Sequence, residues 1–173
     1  MAEHALWASR LRSRQTGLEL QFSFVPHHHE RRSLPHSAAQ MYELVADVRN
    51  YPEFLPWVSA MRVRQDNETE MLADMIVGFK SLRETFSSRV VKTPKSAITV
   101  DYLDGPMKHL HNSWKFEDVV SGGSSVDFTV DFAFRNRVFE ALAGQFFEAA
   151  LRKMTSAFID RADDLYGSSS SKA

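Results

Sequence analysis

The chain has 173 residues, a formal net charge of −1 and no cysteine. This length is typical of a single domain that folds without crosslinks, and the missing cysteine excludes disulfides, thiolate metal sites and cysteine nucleophiles. The near-neutral charge excludes a global basic field for nucleic acid, so we expect no DNA partner, and no apolar run reaches the ~18 residues of a membrane span.

The two ends of the chain differ in composition from its middle. Residues 1–25 carry a cluster of three arginines opposed by two glutamates, which is typical of a mitochondrial presequence. The other interpretation is a start assigned too early, because the regular pattern begins directly after Val25. Residues 168–173, SSSSKA, are expected to be a disordered tail, which leaves residues 26–167 as one domain.

A strand and a helix open this domain. His27–Leu34 is predicted as a strand that Pro35 ends. Its three consecutive histidines do not predict a metal site, because His28 faces away from its two neighbours on a strand. Ser37 and Gln40 form the S-x-x-Q capping box of the helix that follows.

A proline-rich elbow, NYPEFLPW, follows at residues 50–57. Pro52 and Pro56 are expected to stop the helix and to stiffen the segment. The apolar side chains of the elbow are Tyr51, Phe54, Leu55 and Trp57. They could plug one end of the core, or they could form the lid or lip of a pocket, and the sequence leaves both interpretations open.

From Ser59 onward the apolar residues alternate with period two. Short turns separate six such runs, and short turns between successive strands predict an antiparallel meander. One face of the predicted sheet collects aromatic side chains: Phe79, Phe86, Trp114, Phe116, Phe128 and Phe132. They could fill the interior as ordinary core, or they could line an elongated apolar cavity.

The last element is a long amphipathic helix. Its apolar residues recur at spacings of three and four: Phe139, Leu142, Phe146, Ala150, Met154, Phe158, Ala162 and Leu165. Asn136 and Gly167 suit its two ends, and the helix would be about 45 Å long. The fold class is therefore predicted as α+β, with a curved antiparallel sheet of about six or seven strands around a long C-terminal helix.

Catalytic motifs are absent from the sequence: it has no G-x-S-x-G, H-E-x-x-H or glycine-rich phosphate loop. His109 and His111 could face one way on a strand, but a solvated strand end is the favoured interpretation. Asp127 and Asp131 are interpreted as outward charges rather than a catalytic pair. We therefore assign no catalytic or metal-binding residue, expect no cofactor and do not expect an enzyme.

Four segments carry a family pattern: residues 37–58, 77–90, 105–116 and 126–162. The specific motifs are YPEFLPW and G-P-x-K-x-L-x-N-x-W-x-F. Together they resemble the coenzyme Q-binding START-domain family, part of the polyketide cyclase-like superfamily, whose bacterial members are also called RatA toxins. Met107 stands where this family would be expected to have Phe, a departure that could reshape a pocket mouth.

The resemblance implies a helix-grip (START/Bet v-like) fold with a hydrophobic tunnel that holds ubiquinone between the sheet and the C-terminal helix. The tunnel candidates that it assigns are Tyr51, Phe54, Leu55, Pro56, Trp57, Phe79, Trp114, Phe116 and Phe132. The helix stripe adds Leu142 and Phe146. A quinone carbonyl could accept a hydrogen bond from Asn112, Trp114 or Tyr102.

The function that the resemblance implies is a ubiquinone carrier or chaperone that supports respiratory electron transport. Such a protein would be cytoplasmic and peripheral to a bacterial inner membrane, or mitochondrial if residues 1–25 are a presequence. One alternative is a ribosome-associating toxin of the RatA type that blocks subunit joining, which favours a basic face. The other is a polyketide cyclase or aromatase, which requires polar groups in its cavity.

Overall fold

The computed structural model describes residues 27–79 and 82–167, with the side chains of 79, 82, 137–139 and 141–146 excluded from the description. The elements in chain order are β1 His27–Leu34, α1 Ala38–Ala46, a 3₁₀ turn Val48–Asn50, α2 Tyr51–Phe54, β2 Val58–Asp66, β3 Glu70–Phe79, β4 Leu82–Thr93, β5 Ala97–Asp104, β6 Met107–Asp118, β7 Ser124–Phe134 and α3 Arg137–Tyr166. The predicted α+β class, with a sheet of six or seven strands and a long C-terminal helix, is confirmed.

The described strands form one antiparallel sheet of seven in the order β1-β7-β6-β5-β4-β3-β2. Strands β1 and β2 are consecutive in the chain but lie at opposite edges, so α1 and the elbow connect one edge to the other. The pairing of β2 with β3 shifts register twice, and such irregularities bend a strand and increase its twist. Helix α3 packs against β7, α1 and α2.

Helix α1 begins as the sequence predicts. The Ser37 hydroxyl accepts a hydrogen bond from the Gln40 N–H, and the Gln40 side chain accepts one from the Ser37 N–H. The tertiary structure adds a further cap, because Asp118 at the end of β6 accepts a hydrogen bond from the Ala38 N–H at 2.7 Å. Together these bonds satisfy three N–H groups at the N-terminus of the helix.

The elbow differs from its prediction. Helix α1 ends at Ala46, and the chain continues through the 3₁₀ turn into α2. Pro52 therefore lies in the first turn of a helix rather than at the end of one. This position suits proline, because the first helical N–H groups have no intrahelical partner to lose.

The outer face of the sheet carries charged residues in pairs. His29 contacts Asp127 at 3.0 Å, and His27 contacts Asp131 on the same strands. The prediction that both aspartates face outward is confirmed. His28 lies on the other face, with its ring centroid 6.4 Å from that of Phe128 and 6.2 Å from that of Phe147.

The buried face of α3 differs from the predicted stripe. Phe158 and Ala162 are 5% and 0% exposed, as expected. Ala150 is exposed, however, and Leu151 is buried in its place. Leu151 lies seven residues before Phe158, which is almost two full turns, whereas Ala150 lies about 80° away around the helix axis.

At its C-terminal end α3 is fixed to the segment before α1. His36 is buried and contacts the Asp163 carboxylate at 2.7 Å, and its ring lies 5.9 Å from that of Tyr166. The side of the last helical turn that carries Asp163 and Tyr166 therefore faces His36. Leu165 is exposed, contrary to the prediction that it belongs to the apolar stripe. None of the described helices combines the length and apolarity needed to cross a membrane.

Candidate ligand-binding cavity

A cavity of about 170 Å³ lies between the concave face of the sheet, the elbow and the second half of α3. Its wall is mostly apolar. The lining residues are Val45, Val48, Tyr51, Leu55, Trp57, Met61, Ala73, Met75, Ser88, Val90, Ile98, Val100, Asn112, Trp114, Phe128, Met154 and Phe158.

The register of strands β3 to β6 places the residues of the cavity floor side by side. Val90 on β4 lies opposite Val100 on β5, and Val100 lies opposite Asn112 on β6. Ala73 on β3 lies opposite Ser88 on β4. Because side chains alternate between the faces of a sheet, these residues all point to the concave side. The short side chains of Ala73 and Ser88 leave space that larger residues would occupy.

The elbow supplies one wall. Tyr51, Leu55 and Trp57 line the cavity, and Leu55 is only 3% exposed. The Tyr51 hydroxyl donates a hydrogen bond to the Val45 carbonyl at 2.6 Å. Burial raises the pKa of this phenol well above its usual range, so it stays neutral. Of the two interpretations of the elbow, its position in the cavity wall favours the border of a pocket.

Aromatic rings pack against one another in the cavity wall. The ring centroid of Trp114 lies 4.2 Å from that of Phe128 and 5.7 Å from that of Phe158. Phe158 in turn lies 5.5 Å from Tyr51, at a nearly perpendicular angle. The contact between Phe158 and Tyr51 is edge-to-face, a preferred geometry of aromatic pairs, and all four rings form part of the cavity wall.

Four of the tunnel candidates line the cavity: Tyr51, Leu55, Trp57 and Trp114. The other three placed aromatics pack behind the wall. Phe54 packs edge-on against Phe158 with ring centroids 5.1 Å apart, Phe116 lies 5.9 Å from Tyr42, and Phe132 lies 4.6 Å from Phe147.

The remaining candidates fall elsewhere. Pro56 is exposed and is not among the residues that line the cavity. The side chains of Phe79, Leu142 and Phe146 lie outside the part of the chain that the structure describes. For Pro56 the reason is local: it follows the buried Leu55 directly, and the chain turns there into β2.

Several lining residues were not among the predicted tunnel candidates. Met61, Met75 and Met154 are the clearest, and their flexible thioether side chains adapt to ligands of varied shape. The alternation with period two predicts that Met61 and Met75 each lie on the apolar face of their strand. The pattern did not show which part of that face borders free space.

Of the three proposed hydrogen-bond donors, the structure places two in the cavity wall and one outside it. Asn112 and Trp114 line the cavity, and the buried amide oxygen of Asn112 has no hydrogen-bond partner among the described residues. Tyr102 is not a lining residue. Its hydroxyl accepts a hydrogen bond from the Met107 N–H at 3.0 Å, beside the β5–β6 turn.

A second depression, of about 370 Å³, lies beside α1 and is polar. Its central carboxylate, Asp66, accepts hydrogen bonds from Lys92 at 2.7 Å and from Arg49 at 2.9 Å. The hydrogen bond from Lys92, followed by the one from Arg49, lowers the pKa of Asp66. We interpret the ion pairs of Asp66 with Lys92 and Arg49 as structural. Within the described ranges no cluster of His, Asp or Glu is placed to hold a metal ion.

Fold and cavity together define a class of protein: a helix-grip domain with an apolar interior space of ligand size. The family model described as "polyketide cyclase / dehydrase and lipid transport" matches residues 34–159. The chain therefore belongs to the polyketide cyclase/dehydrase and lipid transport family, as its resemblance implied.

Two relatives illustrate how the named members of this family differ. The ribosome association toxin RatA of Pseudomonas aeruginosa is 36% identical over 80% of this chain and 98% of its own length. The coenzyme Q-binding protein COQ10 homolog B, mitochondrial, of Xenopus laevis is 32% identical over 80% of this chain and 58% of its own length.

Solved structures agree on the fold. An 18 kDa protein from Caulobacter crescentus is 34% identical, with a TM-score of 0.67 over 83% of this chain and 99% of that one. The Zhui aromatase/cyclase from Streptomyces sp. R1128 has a TM-score of 0.68 over 80% of this chain and 94% of that one. At 17% identity the second likeness concerns the fold alone.

Proposed function

We propose that this protein binds ubiquinone in the cavity and acts as a non-catalytic carrier that supports respiratory electron transport. The observation that carries the proposal is the apolar space lined by Trp57, Trp114 and the inner faces of the central strands. Apolar area removed from water contributes about 25 cal/mol per Å², so an isoprenoid quinone needs few directed contacts. The relative named for coenzyme Q binding supports this choice of ligand.

The volume suggests which part of the ligand enters. A dry apolar cavity of about 150 Å³ takes up a benzene ring, and this one measures about 170 Å³. A bare six-membered ring therefore fits as the cavity stands, whereas the methoxy substituents of ubiquinone add to the volume required and a long isoprenoid tail would extend beyond the cavity. The ring would lie among the central strands, and the tail would leave between the elements that border the cavity.

The first test is chemical extraction. The full chain is purified without detergent, extracted with organic solvent and analysed by mass spectrometry for quinones. We expect near-stoichiometric ubiquinone, or saturable uptake of added short-tail ubiquinone that quenches the tryptophan fluorescence. An empty extract together with no saturable uptake would refute the proposal.

The carrier role requires a membrane as donor and acceptor, and we propose that the protein works at the surface of the inner membrane. Vesicles that contain ubiquinone supply the test. After incubation and removal of the vesicles by flotation, the protein fraction should contain quinone in proportion to the protein added. If the vesicles keep all their quinone, the protein does not extract quinone from membranes, and the carrier role is refuted.

The second candidate function is ribosome association, which the relative named as a RatA toxin favours. Two of the arginines on α3 are paired with acids, which reduces the basic character of that helix. Arg152 on the exposed side of α3 pairs with Glu148, and Arg161 pairs with Glu53. Co-sedimentation with ribosomal subunits over a series of salt concentrations tests this function, since binding to phosphates weakens steeply with salt.

Polyketide cyclisation is the weaker alternative. Such a reaction requires polar groups that converge on the substrate, and the cavity wall offers chiefly Ser88 and Asn112 beside the hydrogen-bonded hydroxyl of Tyr51. Turnover of an aromatic polyketide by the purified protein would overturn the non-catalytic proposal.

A further inference from the structure

One polar side chain in the cavity wall stands among apolar neighbours. Asn112 lies at the middle of β6, opposite Val100 on β5 and Val130 on β7. The next inward residue along its own strand is Trp114, which also lines the cavity. An amide at this position contributes nothing to apolar packing that a leucine would not contribute better.

The amide oxygen of Asn112 is buried and has no hydrogen-bond partner among the residues that the structure describes. Buried polar atoms in folded proteins are nearly always paired, and an unpaired one costs stability. The Tyr51 hydroxyl in the same wall shows the usual arrangement, because it is paired with the Val45 carbonyl. The amide of Asn112 is therefore available to a ligand group.

The chemistry of the amide restricts what that group can be. A carboxamide both donates, through Nδ2, and accepts, through Oδ1. Its terminal torsion has no strongly preferred value, so either end can turn toward the cavity. A ring hydroxyl can donate to Oδ1 or accept from Nδ2. A ring carbonyl can only accept from Nδ2, and it leaves the buried oxygen unpaired.

We infer that Asn112 hydrogen bonds a ring hydroxyl of the bound ligand, so that the cavity prefers the reduced quinol over the oxidised quinone. The inference rests on the proposed function, because it concerns the head group of the same ligand. It makes Asn112 a specificity-determining residue for redox state. By linkage, a site with this preference also makes the bound quinone easier to reduce.

The experiment compares both redox forms of a short-tail ubiquinone on the full chain under anaerobic conditions. Trp57 and Trp114 line the cavity, so quenching of their fluorescence reports binding. We expect the wild type to bind the quinol about tenfold more tightly than the quinone, a ratio that corresponds to about 1.4 kcal/mol. Asn112→Leu should bring the ratio close to one, mainly by weakening the quinol.

The neighbouring residue supplies a matched control. Ser113 follows Asn112 on β6 and points to the opposite face of the sheet. Ser113→Ala should keep the tenfold preference. Asn112→Leu should also melt at a temperature no lower than the wild type, because it replaces an unpaired buried amide with an apolar side chain of similar size.

The outcomes separate this inference from the carrier proposal. Equal affinities of the wild type for quinol and quinone would overturn the inference and leave the carrier standing. A preference that survives in Asn112→Leu would overturn the assignment to this residue. If neither form binds the wild type, the carrier proposal fails, and the inference fails with it.

Discussion

Tyr51 illustrates how one side chain can serve both the fold and the cavity. Its ring packs edge-to-face against Phe54 and Phe158, at 5.7 and 5.5 Å. Its hydroxyl binds the carbonyl of Val45 near the end of α1, one of the carbonyls that a helix leaves without an intrahelical partner. The residue therefore joins the elbow, α1 and α3 while it lines the space between them.

Removal of this hydroxyl should cost stability. We expect Tyr51→Phe to lower the free energy of unfolding by about 1–2 kcal/mol, because the Val45 carbonyl loses its partner while the ring packing remains. Denaturant unfolding measures the change. Tyr42→Phe is the control, because the Tyr42 ring is also buried but its hydroxyl has no hydrogen bond among the described residues. Loss of the Tyr42 hydroxyl should change the free energy of unfolding by less than about 0.5 kcal/mol. Equal losses in the two variants would contradict the role of this bond.

The same hydroxyl predicts a dependence on pH. Burial raises the pKa of Tyr51 in the folded state, whereas an unfolded tyrosine ionises near pH 10. The associated stability is present below about pH 10 and is lost as the pH rises above it, because only the unfolded state then releases the proton. The stability gap between the wild type and Tyr51→Phe should therefore narrow from about pH 9 to about pH 11. A constant gap in denaturant unfolding over this range would refute the prediction.

At the scale of elements, the β6–β7 turn connects three parts of the fold. Asp118 at the end of β6 caps α1 through the Ala38 N–H. Gly123 in the turn has a φ of +76°, and a Cβ atom there would lie 2.1 Å from the Leu34 carbonyl oxygen. This approach lets the end of β1 pair closely with the start of β7.

Two adjacent glycines in this turn allow two effects of a substitution to be measured separately: the conformational penalty of a positive φ, and a steric clash of the added Cβ atom. Gly122 also has a positive φ, of +98°, but a Cβ atom there would meet nothing within 4 Å. Gly122→Ala should cost only the conformational penalty, about 1–2 kcal/mol. Gly123→Ala adds a clash with backbone and should cost at least about 3 kcal/mol.

Denaturant unfolding of both glycine variants measures the difference, and hydrogen exchange locates it. The amides of β1 that bond to β7 should lose protection in Gly123→Ala and keep it in Gly122→Ala, because the clash acts on the end of β1. Similar losses of stability in the two variants would show that the close approach to Leu34 is not a constraint.

At the scale of the whole molecule, the aromatic interior is only partly filled by packed side chains. Phe116 and Phe132 are buried in contact with other rings, as in ordinary core. The cavity occupies the remaining space beside Val90, Val100 and Met154. Core and cavity therefore coexist, and the two interpretations that the sequence left open each apply to one part of the interior.

A larger side chain should occupy this space. We expect Val90→Phe to abolish quinone uptake while the free energy of unfolding changes by less than about 1 kcal/mol, because the added atoms enter existing free volume. The control is Val91→Phe on the opposite face, where Val91 is 37% exposed, and it should leave uptake unchanged. Mass spectrometry of the extracts and denaturant unfolding measure both effects.

Two results would contradict the cavity-filling prediction. In a tightly packed region, Val90→Phe would instead cost about 1–3 kcal/mol. Retained quinone uptake in that variant would place the ligand elsewhere. The variant also separates the two candidate functions, because co-sedimentation with ribosomal subunits should persist if that activity belongs to the outer surface.

Much of the architecture is determined by the sequence itself. Alternation with period two predicted that Trp114, Phe116 and Phe128 share the inner face of the sheet, since this period is a property of the extended backbone. The capping box at Ser37 and the glycine at position 167 predicted helix ends from local hydrogen bonding and backbone conformation alone. The family motifs YPEFLPW and G-P-x-K-x-L-x-N-x-W-x-F imply the helix-grip fold.

The tertiary structure decided where free space remains. Residue periodicity identifies the inner face of a strand or helix, but not the distance to the layer opposite, which depends on the bend of the sheet and the rotation of α3. That rotation buries Leu151 rather than Ala150. The partners of a polar side chain depend equally on packing, so the unpaired amide of Asn112 became visible only when β5, β6 and β7 were assembled around it.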